Sequence, residues 1–253
     1  MIACIETTNH CNLKCPYCPH KDMTRKKGMM SMELFEKIVD ECAEIGINII
    51  NPFMFGEPFT DKKIYEKIRY IRKKYPAIIV TLYSNLGVPI DESKIEMLYG
   101  AGLVVSYSPG VDKDVLEANM KKLKDAGITT EIHVVKSNPV YDELVDEATT
   151  FGYRHRTPTK GFIQYNWAGK VESEFWPFKD GHCYRLNNSI VFLWDGRAAL
   201  CCMDIDGEVI IGDINKESIL DIWNGEKMES YRKALKSEKE FCSKCNMPVV
   251  ENL

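Results

Sequence analysis

"TTNHCNLKCPYCPH" (residues 7–20) sets Cys11, Cys15 and Cys18 in C-x3-C-x2-C spacing, directly after the short apolar run "IACIE" (2–6). Residues 2–6 can form a strand leading into this cysteine loop. A structural zinc site takes four ligands, usually as two pairs, so three thiols leave it one short. Three thiolates do hold three corners of a four-iron cluster, and the fourth corner stays open to an external ligand. His10 or His20 completing a closed site is the structural alternative.

Outward from this loop the chain alternates. Ser31 caps a predicted helix running to about Gly46, with Met32, Phe35, Ile38, Val39 and Cys42 on one face. A strand over 47–55 and a helix over 61–75 follow, then a buried strand "AIIVTLYSN" (77–85) and a helix over 91–100. Further units are predicted as strand 103–108 with helix 112–126, and strand 130–137 with helix 139–151, each helix closing on glycine. A sixth strand is expected at 161–165. This order implies right-handed parallel crossovers, hence the α/β class and a partial (β/α)6 TIM-like barrel, since eight units would need about 250 residues for themselves.

The rear third reads differently. Residues 170–182 form a linker, "SIVFLWDGRAALCC" (189–202) a β-hairpin turning at Asp195-Gly196, "EVIIGDI" (208–214) a strand, and 218–236 an amphipathic helix before Cys242 and Cys245. We therefore expect two domains, 1–169 and 170–253, the second too small for much core and held together by a metal. The chain has 253 residues, ten cysteines and a formal charge of −4. No run approaches the roughly eighteen apolar residues of a membrane span, and no secretory signal opens the chain, so a cytoplasmic protein is expected. The acidic balance argues against general nucleic-acid binding, and Arg25-Lys26-Lys27 and Arg72-Lys73-Lys74 read as solvated faces. Disulfide frameworks are rare in that compartment. Cys4 and Cys42 fall in apolar segments and read as small buried hydrophobes; the others read as metal ligands.

With its aromatic Tyr17 before the third cysteine, "TTNHCNLKCPYCP" resembles the signature of the radical S-adenosylmethionine (radical SAM) enzymes. The resemblance implies that Cys11, Cys15 and Cys18 hold a [4Fe-4S] cluster whose open iron binds SAM, and that the enzyme makes a 5′-deoxyadenosyl radical that takes a hydrogen atom from substrate. It also implies the incomplete barrel. "MFGEP" (54–58) is similar to the family's GGEP segment with Phe55 in place of a glycine, which implies that Gly56, Glu57 and Pro58 meet the SAM ammonium. Ser84-Asn85 sits where the family has Thr-Asn-Gly, with Leu86 replacing the glycine. Ser106, Ser108 and Asn138 resemble residues that reach the SAM ribose or carboxylate, and Tyr17 would lie near the adenine through its backbone.

The rear cysteines resemble a SPASM or twitch module. With five of them, one auxiliary [4Fe-4S] cluster is implied, held by Cys183, Cys201, Cys242 and Cys245; hairpin spacing in the family selects Cys201 over Cys202. Zinc is the structural alternative there. The resemblance implies oxidation of a small polar substrate, with a flavodoxin- or ferredoxin-type reductant. A peptide-modifying enzyme is the second reading, disfavoured because strand one starts at the second residue with no leader-binding domain before it; an iron-sulfur electron carrier is the third. Substrate-side candidates are His133, Gln164 and Trp167, near Asn166 and an Arg154-His155-Arg156 loop expected to be solvated.

Overall fold

In the computed structural model, which describes residues 1–108, 110–134, 155–156, 166–172, 178–247 and 249–250, the cysteine loop follows directly on β1 (Ile2–Ile5). Ser31 Oγ accepts the Leu34 N–H at 3.1 Å and caps α1 (Met32–Glu44), which buries Phe35, Ile38, Val39 and Cys42 as one stripe. β2 (Ile49–Asn51) is much shorter than the run expected over 47–55. Pro52 has no N–H for a ladder, and the Phe53 N–H turns back onto the Asn51 carbonyl at 2.7 Å.

α2 (Ile64–Lys74) and β3 (Ile79–Ser84) follow, with Ile79 56% exposed at the start of a strand expected to be buried throughout. In place of a regular helix over 91–100 there is a 3₁₀ segment, Glu92–Leu98, capped by Asp91. Next come β4 (Gly102–Tyr107), α3 (Lys113–Asp125) and β5 (Thr130–Val134). His155 and Arg156, expected in a solvated loop, instead form β6 (His155–Arg156) and pair in parallel with Ile132 and His133. The helix expected over 139–151 and the strand expected at 161–165 lie outside the described residues, as does Arg154.

The rear residues form β7 (His182–Cys183), α4 (Tyr184–Asn188), β8 (Ser189–Phe192), β9 (Arg197–Ala199) and β10 (Ile210–Asp213). Gly196, at φ +92°, supplies the left-handed residue of the β8–β9 turn. The single helix expected over 218–236 is broken into α5 (Ile219–Asn224) and α6 (Glu226–Lys233), because Gly225 adopts an extended conformation between them. α7 (Glu240–Ser243) and β11 (Val249–Val250) close the chain, β11 pairing antiparallel with β7.

β8 also pairs in parallel with β1, so the sheet order is β10-β9-β8-β1-β2-β3-β4-β5-β6. The rear hairpin thus extends the barrel's own sheet. Ala3, Phe35 and Ile50 from the front share one buried cluster with Ile190, Ile222 and Met228 from the rear. The rear module, expected to have little core, thus shares the barrel's: its helices cover apolar surface that the barrel sheet provides, and roughly 1.5–3 kcal/mol per fully buried aliphatic side chain stabilises the join.

One buried ion pair locks α2 against the strand-one loop. Lys67 Nζ donates to Asp61 Oδ2 at 2.6 Å and to the Met30 carbonyl at 2.7 Å, with both side chains almost completely buried. Removing one member leaves the other as an unpaired buried charge. Lys67→Met is expected to lower unfolding stability by about 3–5 kcal/mol, and adding Asp61→Asn to recover much of that loss; urea denaturation midpoints of the single and double variants check it.

Candidate cofactor site

The loop 10–27 leaves β1 and returns through a neck built on Asn9. Asn9 Oδ1 accepts the Gly28 N–H at 2.8 Å, Asn9 Nδ2 donates to the Lys26 carbonyl at 2.9 Å, and Thr8 Oγ1 donates to the Gly28 carbonyl at 3.2 Å. Trp194, from the rear hairpin, lies over Gly28 so closely that a Cβ there would meet the indole at 2.4 Å. Arg25 was expected on a solvated face. It is instead buried, with a bidentate grip on Glu6 and a further bond to the Ile205 carbonyl at 2.5 Å. Burial raises the Glu6 carboxyl, and the Arg25 guanidinium opposes that shift. Lys26 and Lys27 of the same run remain exposed.

Cys11, Cys15 and Cys18 are all partly accessible and line one cavity with Gly56, Glu57 and Ser84. Burial first, then Glu57 and Cys15 for Cys11 and the other two thiols of the triad for Cys18, raise both thiols to about 11 against backbone N–H groups that lower them. His20 Nε2 stands 2.8 Å from both the Asn9 carbonyl and the Lys27 ammonium, so this ring nitrogen is committed to the neck.

Glu57 organises the cavity floor. It is 1% exposed, and its carboxylate accepts Ser84 Oγ at 2.6 Å, the Asn85 N–H at 2.8 Å and the Phe59 N–H at 3.1 Å. Burial pushes the carboxyl up to about 7 against these three bonds. Its own N–H donates to the His10 carbonyl at 2.7 Å. The preceding Gly56, at φ +95°, passes so close to residues 8–10 that a Cβ would meet the His10 carbonyl oxygen at 2.6 Å. Pro58 begins the 3₁₀ turn Pro58–Thr60.

Asn85 reaches the cysteine loop, its Nδ2 donating to Asn12 Oδ1 at 3.0 Å, while Asn12 Nδ2 donates to the Gly87 carbonyl at 3.1 Å. Leu86, standing where the family pattern has glycine, keeps the left-handed conformation at φ +51° and is fully buried; the backbone role survives at a cost of about 1–2 kcal/mol. Tyr17 Oη lies 2.5 Å from Ser108 Oγ, which in turn donates to the Ser106 carbonyl at 3.2 Å. Burial, chiefly, raises the Tyr17 hydroxyl far above its usual range. The Tyr17 side chain, and not only its backbone, therefore fastens the loop to β4. Ser106 and Trp167 also line the cavity. His133 pairs with Ser106 in the sheet register; Asn138 and Gln164 lie outside the described residues.

The rear thiols form a second set. Burial raises Cys201, with further upward effects from Cys202, Cys245 and Cys183. Cys242 is pushed up to about 12 by burial, then by Cys183 and Cys245. Cys201 Sγ accepts the Met203 N–H and Cys245 Sγ the Met247 N–H, each at 3.4 Å. Cys202 is raised by burial, lowered by Arg185 and raised by Cys183; it lies beside Cys4, which packs among hydrophobes as expected, also hydrogen-bonds Asn51, and is raised by burial to about 12. Among the described residues no three His, Cys, Asp or Glu side chains converge as a one-ion site. A four-iron cluster takes its thiolates at separate corners, and an all-thiol donor set fits it at both places.

Sequence reasoning missed Asn9, Asn12, Glu6 and Arg25 as builders of the site. The asparagines flanking Cys11 are the available signal, since Asn stabilises loops through its own side-chain bonds.

Two outcomes follow from Glu57 and Gly56. The carboxyl titrates near 7 folded against 4.5 as its ordinary value, so its stabilising contribution is complete below the lower value and is lost as pH rises through the upper. The wild type should lose on the order of 3 kcal/mol across that window relative to Glu57→Gln, read as denaturation midpoints at acid and mildly alkaline pH. Gly56→Ala, which forces a Cβ into the backbone of the loop, should cut iron incorporation several-fold while far-ultraviolet circular dichroism stays near wild type.

A family model of the radical SAM superfamily matches residues 5–115, and one of the SPASM iron-sulfur cluster-binding domain matches 183–246. The chain is 22% identical over 254 residues to the S-adenosyl-L-methionine-dependent 2-deoxy-scyllo-inosamine dehydrogenase of Niallia circulans, covering 96% of this chain and 91% of that protein. It is 30% identical over 142 residues to a PqqA peptide cyclase of Bradyrhizobium diazoefficiens, spanning only 35% of that protein. The crystal structure of BtrN with AdoMet and 2-DOIA matches with a TM-score of 0.72 at 20% identity, over 99% of this chain and 94% of that one. Streptococcus suis SuiB bound to its precursor peptide SuiA matches with a TM-score of 0.69 at 14% identity, over 97% and 69%. The chain is a radical SAM enzyme with a SPASM domain at its rear.

Proposed function

We propose that the enzyme is a dehydrogenase acting on a small polar substrate, with one auxiliary cluster of the twitch type and hence two [4Fe-4S] clusters. The observation that carries this is the contrast between the two cysteine sets. Three thiols line an open cavity, whereas four others, three of them buried, gather in the rear module. The first set leaves room for an external ligand; the second offers four corners four ligands. When bound, SAM and the two clusters supply hydrogen-atom abstraction by a 5′-deoxyadenosyl radical and one-electron oxidation of the resulting substrate radical.

The chain's own part is to bind and orient. Cys11, Cys15 and Cys18 hold the front cluster, and the 56–58 backbone with Ser84, Asn85, Ser106 and Ser108 forms the wall that receives the polar groups of SAM. Glu57 acts through the residues it ties together, since its oxygens already accept three hydrogen bonds. Cys183, Cys201, Cys242 and Cys245 hold the auxiliary cluster. Cys201 is preferred to Cys202 because it lies with Cys245 as well as Cys183, whereas Cys202 lies with Cys183, Arg185 and Cys4. His133 and Trp167 are the substrate-side candidates within the described residues. Thiolate clusters call for a reducing compartment, so we place the enzyme in the cytoplasm with a flavodoxin- or ferredoxin-type reductant; among the described residues no helix is long and apolar enough to cross a membrane.

Peptide modification is the second reading, favoured by the matches to a peptide cyclase and to SuiB with its precursor peptide. Anaerobically reconstituted enzyme given SAM and dithionite should yield methionine and 5′-deoxyadenosine and contain about eight irons. Cys18→Ala should abolish cleavage. Cys245→Ala should still cleave SAM yet fail to oxidise an amino-cyclitol such as 2-deoxy-scyllo-inosamine. Turnover of precursor peptide with cyclitols inert would favour the second reading, and no cleavage at all would indicate an electron carrier.

A further inference from the structure

Residues 166–169 connect the two cysteine sets through strained backbone. Trp167 and Ala168 are consecutive non-glycine residues in the left-handed region, at φ +50° and +53°, followed by Gly169 at +88°. L residues avoid this conformation, and two in succession persist only where the surroundings impose it. The surroundings are specific. The Asn166 N–H donates to Asn246 Oδ1 at 2.9 Å, the Asn246 N–H donates to Asn166 Oδ1 at 3.1 Å, and Asn166 Nδ2 donates to the Lys244 carbonyl at 2.6 Å. The turn is thereby clamped on both sides of Cys245, whose thiol pKa the nearby Ala168 backbone helps to lower.

The other end of the turn faces forward. The Trp167 indole lines the cavity that holds Cys11, Cys15 and Cys18, and its ring centre is 5.4 Å from that of Phe55, next to Gly56. Trp167 also packs against two buried clusters, one containing Cys242 and Cys245 and the other Met54 and Phe55. A half-buried side chain in that position has little freedom once the turn is fixed.

We propose that the 166–169 turn is the mechanical link by which the Cys242–Cys245 segment sets the wall of the SAM cavity, with Asn166 and Asn246 as positioning residues and Trp167 as the wall they position. The proposal rests on the reading that the front cavity takes SAM. It gives the rear module a second duty besides holding metal: its ordering shapes the pocket in which the front chemistry occurs. Loosening the clamp should therefore be felt at the Trp167 indole and at the cofactor beyond it.

The test uses reconstituted holoenzyme. The protein has four tryptophans, and the emission of wild type minus that of Trp167→Phe isolates the one in question. In Asn166→Ala and Asn246→Ala, which keep every cysteine, this difference emission should shift to the red and acrylamide quenching of it should rise roughly twofold. SAM binding by equilibrium dialysis should weaken roughly fivefold at unchanged iron content. Unmoved emission and unchanged SAM affinity in both variants overturn the link. Should neither variant assemble, the wild type decides: SAM must shield the difference emission from acrylamide, and no shielding refutes the assignment of Trp167 as the cavity wall. Failure of wild-type holoenzyme to bind SAM at all refutes the cofactor reading and this proposal with it, whereas normal binding with an unresponsive indole refutes the link alone.

Discussion

A carboxylate taken wholly out of water holds the front of this molecule together. Glu57 spends its two oxygens on the Ser84 hydroxyl and the N–H groups of Asn85 and Phe59, and its own N–H on the His10 carbonyl. The ends of β2 and β3 and the approach to the first cysteine are thus tied at one residue. Burying a carboxylate is unfavourable unless its lone pairs are met, which makes the arrangement demanding: each donor must be in place for the site to close. Gly56 is the corollary, because a side chain there would hold the two backbones apart.

The neck of the cysteine loop imposes the second constraint, and it is where front and rear join. Arg25 grips Glu6 from one side and the Ile205 carbonyl from the other, while Trp194 closes over Gly28. These contacts come from the loop, from the end of β1 and from the rear hairpin, which is itself hydrogen-bonded to β1. A loop carrying three thiols is thereby held at its base by the part of the chain that carries the five rear thiols. The rear module is a continuation of the barrel in sheet and in core, and the placement of the two sets follows from that continuity.

Much of this was legible because local rules govern it. The cysteine spacing, the Ser31 cap, the stripe of α1 and the Asp195-Gly196 turn each depend on a few neighbouring residues, and each appears as expected. The superfamily followed from the loop alone. What escaped reading is non-local or conformational. Nothing near Ser189 announces that β8 will pair with β1, and Arg25 looks like any basic surface residue until Glu6 is seen beside it. Pro52 and Gly225 did carry readable signals, and they shortened one strand and divided one helix. Leu86, Trp167 and Ala168 could not be read, since left-handed backbone is foreseen from glycine and these are not glycine. The substrate side was least legible of all, as its candidates are scattered through segments whose chemistry the cofactor signature does not determine.

The central claim is that the front cluster presents an iron without a protein ligand to the cavity floored by Glu57. Electron paramagnetic resonance of the dithionite-reduced enzyme, recorded with and without SAM in a variant lacking the rear thiols, tests it most directly. The account requires a four-iron signal whose g-values move when SAM is added, and the loss of that signal on replacing Cys15. A reduced cluster whose spectrum ignores SAM, or an iron-free protein with zinc at the triad, would contradict it.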